Sequence, residues 1–351
     1  MDLLHKRNVS LDCFRGIMAL FVACGHFFYW NHKPIIPCSF VLAVDFFLVL
    51  SGFVICHSVY QKREKFNSIN FAFKRYLRLF PVYIVCVVIS YVFNIFNNIT
   101  QPNLFDWFKI LTISEMIPLN TLHPSIPFEP IGISYTISAE LWVGIIIFPI
   151  FVTLLDKFTH LIFPVLILVI LYCLIVLNQT SINYMDAHHR LYNLFIDYAI
   201  IRCLLEYSLG ILTYLIFIKI NFKPNNFIIS FFQLFIILLF SMTYLKLNYN
   251  RNNEFIAPFL FAIFIYLLSF KTGIIYKITS NNFAKFLGDI SYSIYLIHPI
   301  WINICSKYFH LHTTKGINIV IYIFCILTSA YIIYQFVDKP CLQLLRYKNN
   351  T

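Results

Sequence analysis

The sequence predicts an all-α membrane protein, a bundle of about ten spanning helices with both termini in the cytoplasm. Three observations carry that prediction. Apolar residues fill 60% of the 351 positions and charged ones only 12%, against about 25% charged in soluble globular domains. Apolar runs of about 20 residues, the length that crosses a bilayer, recur along the whole chain. Lys and Arg fall unequally on alternate loops, as the positive-inside rule requires.

The candidate spans are 12–30, 40–59, 80–97, 133–154, 161–178, 199–218, 227–245, 255–270, 285–305 and 316–336. The first begins at Asp12 and carries Arg15 and His26, and the second carries Asp45. The third follows the basic segment FKRYLR, and the fourth contains Glu140. The fifth, seventh and tenth are long apolar runs; the sixth carries Arg202. The eighth is short, and the ninth is interrupted by polar residues and contains His298. Polar clusters separate the spans, notably QKREKFNSIN at 61–70 and a long outer loop over 97–130. With no internal repeat or low-complexity tract, residues 1–351 read as a single membrane domain with short cytoplasmic tails. The first run follows His5, Lys6 and Arg7 and contains Arg15, so a retained helix is expected, not a cleaved signal peptide. The ten cysteines form no CxxC pair and sit mostly inside apolar runs. They read as small hydrophobes, with no disulfide framework and no metal site.

Placing both termini in the cytoplasm puts 17 of the 26 Lys and Arg residues in cytoplasmic segments and 7 outside, with Arg15 and Arg202 inside spans. The formal charge of +11 then reflects topology, and nucleic acid is not expected as a partner.

Ionisable groups inside a span are costly and face the bundle interior. Arg15 and His26 are eleven residues apart, three helical turns plus about 20°, so both lie on one face about 16 Å apart along the axis. Counting residues from the ends of their spans brings Asp45, Glu140 and His298 to about the depth of His26. Each has a structural alternative. His26 can be a hydrogen-bonded core residue, and Arg15 can snorkel to headgroups. Asp45 and Glu140 can pair with Arg15 or Arg202, and His298 can satisfy a carbonyl freed by Pro299. Arg75 and Arg78, one turn apart at the edge of the third span, are suited to bidentate phosphate recognition.

Six segments in order resemble the acyltransferase-3 family, integral membrane enzymes that O-acylate bacterial surface polysaccharides. LDCFRG at 11–16 is similar to its opening LDGLRG, and Arg15 with His26 reproduces its Arg-x10-His spacing. VDFFLVLSGFVI at 44–55 resembles its second-helix motif, and FKRYLRLFPVY at 73–83 its FxxRRxxRxxP segment. YTISAELW at 135–142 is similar to WSLSVEEQF, which adds Ser138 as a candidate beside Glu140. LGDISYSIYLIHPI at 287–300 resembles LGxISYSxYLxH, and VDKP at 337–340 a terminal ErP. The differences at Cys13, Tyr135 and Leu141 leave the catalytic residue types intact.

The resemblance implies transfer of an acetyl or other acyl group from cytoplasmic acetyl-CoA to a sugar hydroxyl at the outer leaflet of the bacterial inner membrane. The acceptor would be a lipid-linked or assembled glycan such as O-antigen, capsule or exopolysaccharide. In this reading His26 is the general base or the acyl-carrying nucleophile, and Asp45 or Glu140 orients it. Arg15, Arg75 and Arg78 hold the coenzyme phosphates. A secondary transporter is the competing class, since carriers also need intramembrane Asp, Glu and His, although no internal repeat supports it. A haem protein using His26 and His298 is a third class.

Overall fold

The computed structural model describes residues 7–31, 37–97, 102–116, 131–180, 184–186, 196–220, 225–309 and 316–347. The elements are α1 Val9–Trp30, α2 Ala43–Gln61, α3 Ser68–Phe96, α4 Leu104–Thr112, α5 Tyr135–Lys157, α6 Ile162–Thr180 and α7 Tyr198–Lys219. They continue with α8 Asn226–Tyr244, α9 Ala257–Ser269, α10 Ile274–Thr279, α11 Asn282–Tyr308, α12 Gly316–Ile333 and α13 Lys339–Tyr347. The described residues contain no strand. Among them nine helical stretches are long and apolar enough to cross a membrane. The predicted ninth span corresponds to α11, which at 27 residues is long enough but too polar to qualify on composition. The exterior is apolar where lipid would lie: Leu168, Phe231 and Phe324 are more than half exposed on α6, α8 and α12.

Two helix pairs form the interior. Arg15 meets Ser291 near one end of α1 and α11, and His26 meets His298 further along both, so these helices run in the same direction. Asp45 meets Arg202 and His57 meets Tyr214, so α2 and α7 also run in the same direction. Glycines permit the close approach. A Cβ on Gly210 would sit 2.2 Å from the Val49 carbonyl oxygen, and one on Gly16 would lie 2.7 Å from that of Leu287.

Four boundaries differ from the sequence prediction. α3 starts at Ser68, where Asn67 caps it by accepting from the Asn70 amide. Arg75 and Arg78 are therefore on the helix itself, on the same side as buried Leu79, Val82 and Cys86. The long loop contains α4, closed by a reciprocal Asn103–Asp106 capping box; that Asn-x-x-Asp pattern was a readable start signal. Burial pushes the Lys109 ammonium of α4 below the usual lysine range, against Asp106 and Glu115. α5 begins inside the protein, with Ser134 fully buried. The last span continues past 336 through a π turn, Tyr334–Asp338, into α13. Pro340 cannot donate the amide hydrogen bond of a regular helix, and a π turn is a common local solution at functional sites. Here it turns Asp338 inward.

Candidate active site

A polar stripe runs along α11: Gly288, the neighbours Ser291 and Tyr292, then Tyr295 and His298, each step of three or four residues returning to the same side. The Arg15 guanidinium donates to the Gly288 carbonyl and to Ser291 Oγ, both at 2.8 Å, and pairs with Asp12 at 3.2 Å. Arg78 donates to Asp338 Oδ1 at 2.7 Å and lies 5.7 Å from the Tyr292 ring centre. Its neighbour Tyr292 donates to the Leu79 carbonyl. At the far end of the stripe, His26 Nδ1 lies 3.0 Å from His298 Nε2, with the rings stacked at 13°. Trp30 stacks on His26 and Phe40 packs edge-on against it.

His298 is fully buried, and its Nδ1 faces the carbonyls of Ile294 and Tyr295 without the geometry of a full hydrogen bond. Pro299 leaves the Tyr295 carbonyl without its helical donor, and a proton on His298 Nδ1 would point toward it. Its Nε2 is then the acceptor, and His26 donates through Nδ1. That tautomer leaves a lone pair on His26 Nε2, the form a general base requires.

Two cavities lead toward this pair. The first, about 430 Å³, is the mouth, lined by Arg7, Asp12, Arg15, His57, Arg78, Lys271, Asp289 and Asp338 among others. Burial pushes the Arg7 guanidinium down, but hydrogen bonds and charge from Asp12 and Asp289 outweigh it and hold Arg7 above its ordinary value. The second cavity, about 230 Å³, lies deeper and includes Ser51, Arg75, Thr136, Glu140, Tyr292 and Tyr295. Arg15 and Arg78, with Leu50 and Val54, line both cavities. Three arginines, each with a carboxylate partner, thus line the mouth.

The expected shared layer of four ionisable groups divides into three sites. His26 and His298 touch. Asp45 is instead bound to Arg202, at 2.7 Å from its Nε, and Arg202 also pairs with Glu206 at 3.4 Å and donates to the Val41 carbonyl. Glu140 accepts from Arg75 and from Ser51, both at 3.0 Å. Ser51 is six residues beyond Asp45 on α2, about 9 Å along the axis. Glu140 is therefore deeper than counting implied, because α5 starts within the bundle. At His26 Nδ1 the structure places His298 Nε2, while Asp45 and Glu140 meet arginines. Arg75, expected to hold phosphate, lines the deeper cavity and is tied to Glu140 and to the Tyr207 hydroxyl. Ser138 accepts the Met116 amide and fixes the chain after α4. Sequence reasoning missed Asp12, Tyr292, Tyr295, Thr136 and Glu206. The α11 periodicity within ISYSIYLIH was the available signal for Tyr292 and Tyr295. No local pattern pairs Arg202 with Asp45.

The fold and site define a class: a polytopic helical membrane protein with an arginine-lined mouth and cavity on one side of a histidine pair, His298 buried and His26 half-buried. The chain matches the acyltransferase-domain family (acyltransferase-3) over residues 8–335, and it belongs to that family. It is also 36% identical over 87 residues to "Protein 2 in picA locus" of Rhizobium radiobacter, a match covering 24% of this chain and 44% of that relative. The chain therefore spans less than half the length of that curated relative. No solved structure matches closely.

Proposed function

We propose that this acyltransferase is a membrane O-acetyltransferase. It would carry an acetyl group from cytoplasmic acetyl-CoA to a hydroxyl of a cell-surface glycan at the outer leaflet of the bacterial inner membrane, with both termini cytoplasmic. The observation that carries the reading is the continuous stripe on α1 and α11 from Arg15 to the His26–His298 pair. Arg15 and Arg78, with Arg7 nearby, supply fixed positive charge for the coenzyme phosphates. At the other end His26 Nε2 takes the proton of the acceptor hydroxyl as its oxygen attacks the thioester carbon. The C–S bond breaks and the coenzyme thiolate leaves. His298 holds His26 in the required tautomer.

Purified chain in sealed vesicles, given radiolabelled acetyl-CoA and the host's lipid-linked glycan, is expected to label the glycan. His26→Ala is expected to abolish labelling at unchanged protein level, and full activity in that variant would refute the role of His26. Label that crosses the membrane without modifying glycan would support a carrier instead. NMR of the surface polysaccharide from cells with and without the chain would identify the hydroxyl.

A further inference from the structure

We propose that Tyr295, latched by Thr136, is an inner door closed between the deep cavity and the histidine pair. What passes the door rests on the acyl-transfer reading; the door itself is argued from contacts alone. The deep cavity begins at Arg15 and Arg78 and reaches Phe47, Thr136 and Tyr295, and neither His26 nor His298 is on its lining. Tyr295 stands between them. Its ring packs edge-on against His298, with centres 5.9 Å apart, and against Phe47, with centres 5.7 Å apart. It sits one turn from His298 on the same face of α11.

The latch has a direction. Tyr295 and Thr136 hydroxyl oxygens are 2.9 Å apart, and the Thr136 hydroxyl also bonds the Ile133 carbonyl at 2.9 Å. A hydroxyl has one proton to give, and a carbonyl can only accept. Thr136 therefore donates to Ile133, and Tyr295 donates to Thr136. One neutral hydrogen bond thus ties α11 to the first turn of α5 across the path. A thioester carbonyl arriving in the cavity offers the phenol a competing acceptor, which unlatches the ring when the donor is in place. While the door is closed, water in the cavity is kept from the histidines, so an activated acyl group is not spent on hydrolysis.

The test is chemical labelling of the full-length protein in detergent. Diethyl pyrocarbonate modifies neutral imidazole, and peptide mass spectrometry reads it at His298, normalised to exposed His160. Fully buried His298 is expected to label slowly in the wild type and severalfold faster in Tyr295→Ala. Thr136→Val keeps the ring and cuts the latch, together with the short-range Thr136 bond to the Ile133 carbonyl, and it is also expected to exceed the wild-type rate. Wild-type labelling in Tyr295→Ala overturns the door. If that variant yields no folded protein, Thr136→Val decides by the same criterion. The readout needs no acyl transfer. A wild type that transfers no acyl group while His298 responds as expected refutes the acyl-transfer reading and leaves the door standing.

Discussion

Replacing Arg75 with methionine asks whether this arginine supports the fold or binds the donor. Its side chain is 14% exposed and that of Glu140 19%. It donates to Glu140 at 3.0 Å and to the Tyr207 hydroxyl at 3.2 Å. Methionine replaces most of the aliphatic stem but leaves Glu140 facing Ser51 and the cavity without a counter-charge. Removing one partner of a buried ion pair costs about 3–5 kcal/mol. Cavity water screens this pair in part, which places it at the low end, about 3 kcal/mol. At about 1.4 kcal/mol per tenfold, the folded-to-unfolded ratio falls on the order of 100-fold. The unpaired charge is Glu140, so adding Glu140→Gln to Arg75→Met is expected to recover about 0.5–3 kcal/mol, the range seen for contacting residues. Denaturation of the wild type, both single variants and the double variant in detergent measures the coupling, and the donor KM is read in parallel. Native stability in Arg75→Met together with a raised donor KM would refute this reasoning and return Arg75 to phosphate binding.

Further consequences follow from the same contacts. Arg15→Gln is expected to raise the donor KM about 10- to 100-fold, the value of one charge-assisted hydrogen bond of about 1.5–3 kcal/mol, with the acceptor KM unchanged. An effect on the acceptor KM alone would place the donor elsewhere. His298→Ala is expected to lower the transfer rate about 100-fold, at the low end for general-base catalysis because His26 itself remains; a normal rate and pH profile would remove His298 from the mechanism. Gly210→Ala is expected to abolish folded protein, since its Cβ would meet Val49 and Phe53 backbone atoms at 2.2 and 2.7 Å. Normal yield and melting temperature would show that α2 and α7 can separate at small cost.

Several site features were legible in the chain and others were not. The eleven-residue spacing of Arg15 and His26 follows from helix geometry, so their common face needed no coordinates. RxxR with Pro81 identified an arginine pair but not its division, because the start of α3 depends on the Asn67 cap and on packing. Arg78 lies at the mouth while Arg75 is inside. Depth counting failed for Glu140 for a related reason. It assumed that helix ends mark the membrane surface, whereas the first turn of α5 is buried in protein.

The sequence by itself determined the membrane class and the common helix face of Arg15 and His26. Those follow from composition, apolar run length and the 3.6-residue period, which act locally along the chain. The tertiary structure decided partnership: His298 beside His26, Arg202 on Asp45, Arg75 on Glu140, and Tyr295 against Thr136. Each joins residues at least 65 positions apart. Such pairings depend on how helices cross and tilt, and in a mostly apolar bundle many crossings bury similar area. The few polar groups select among them, because a buried charge without a partner is the costliest alternative.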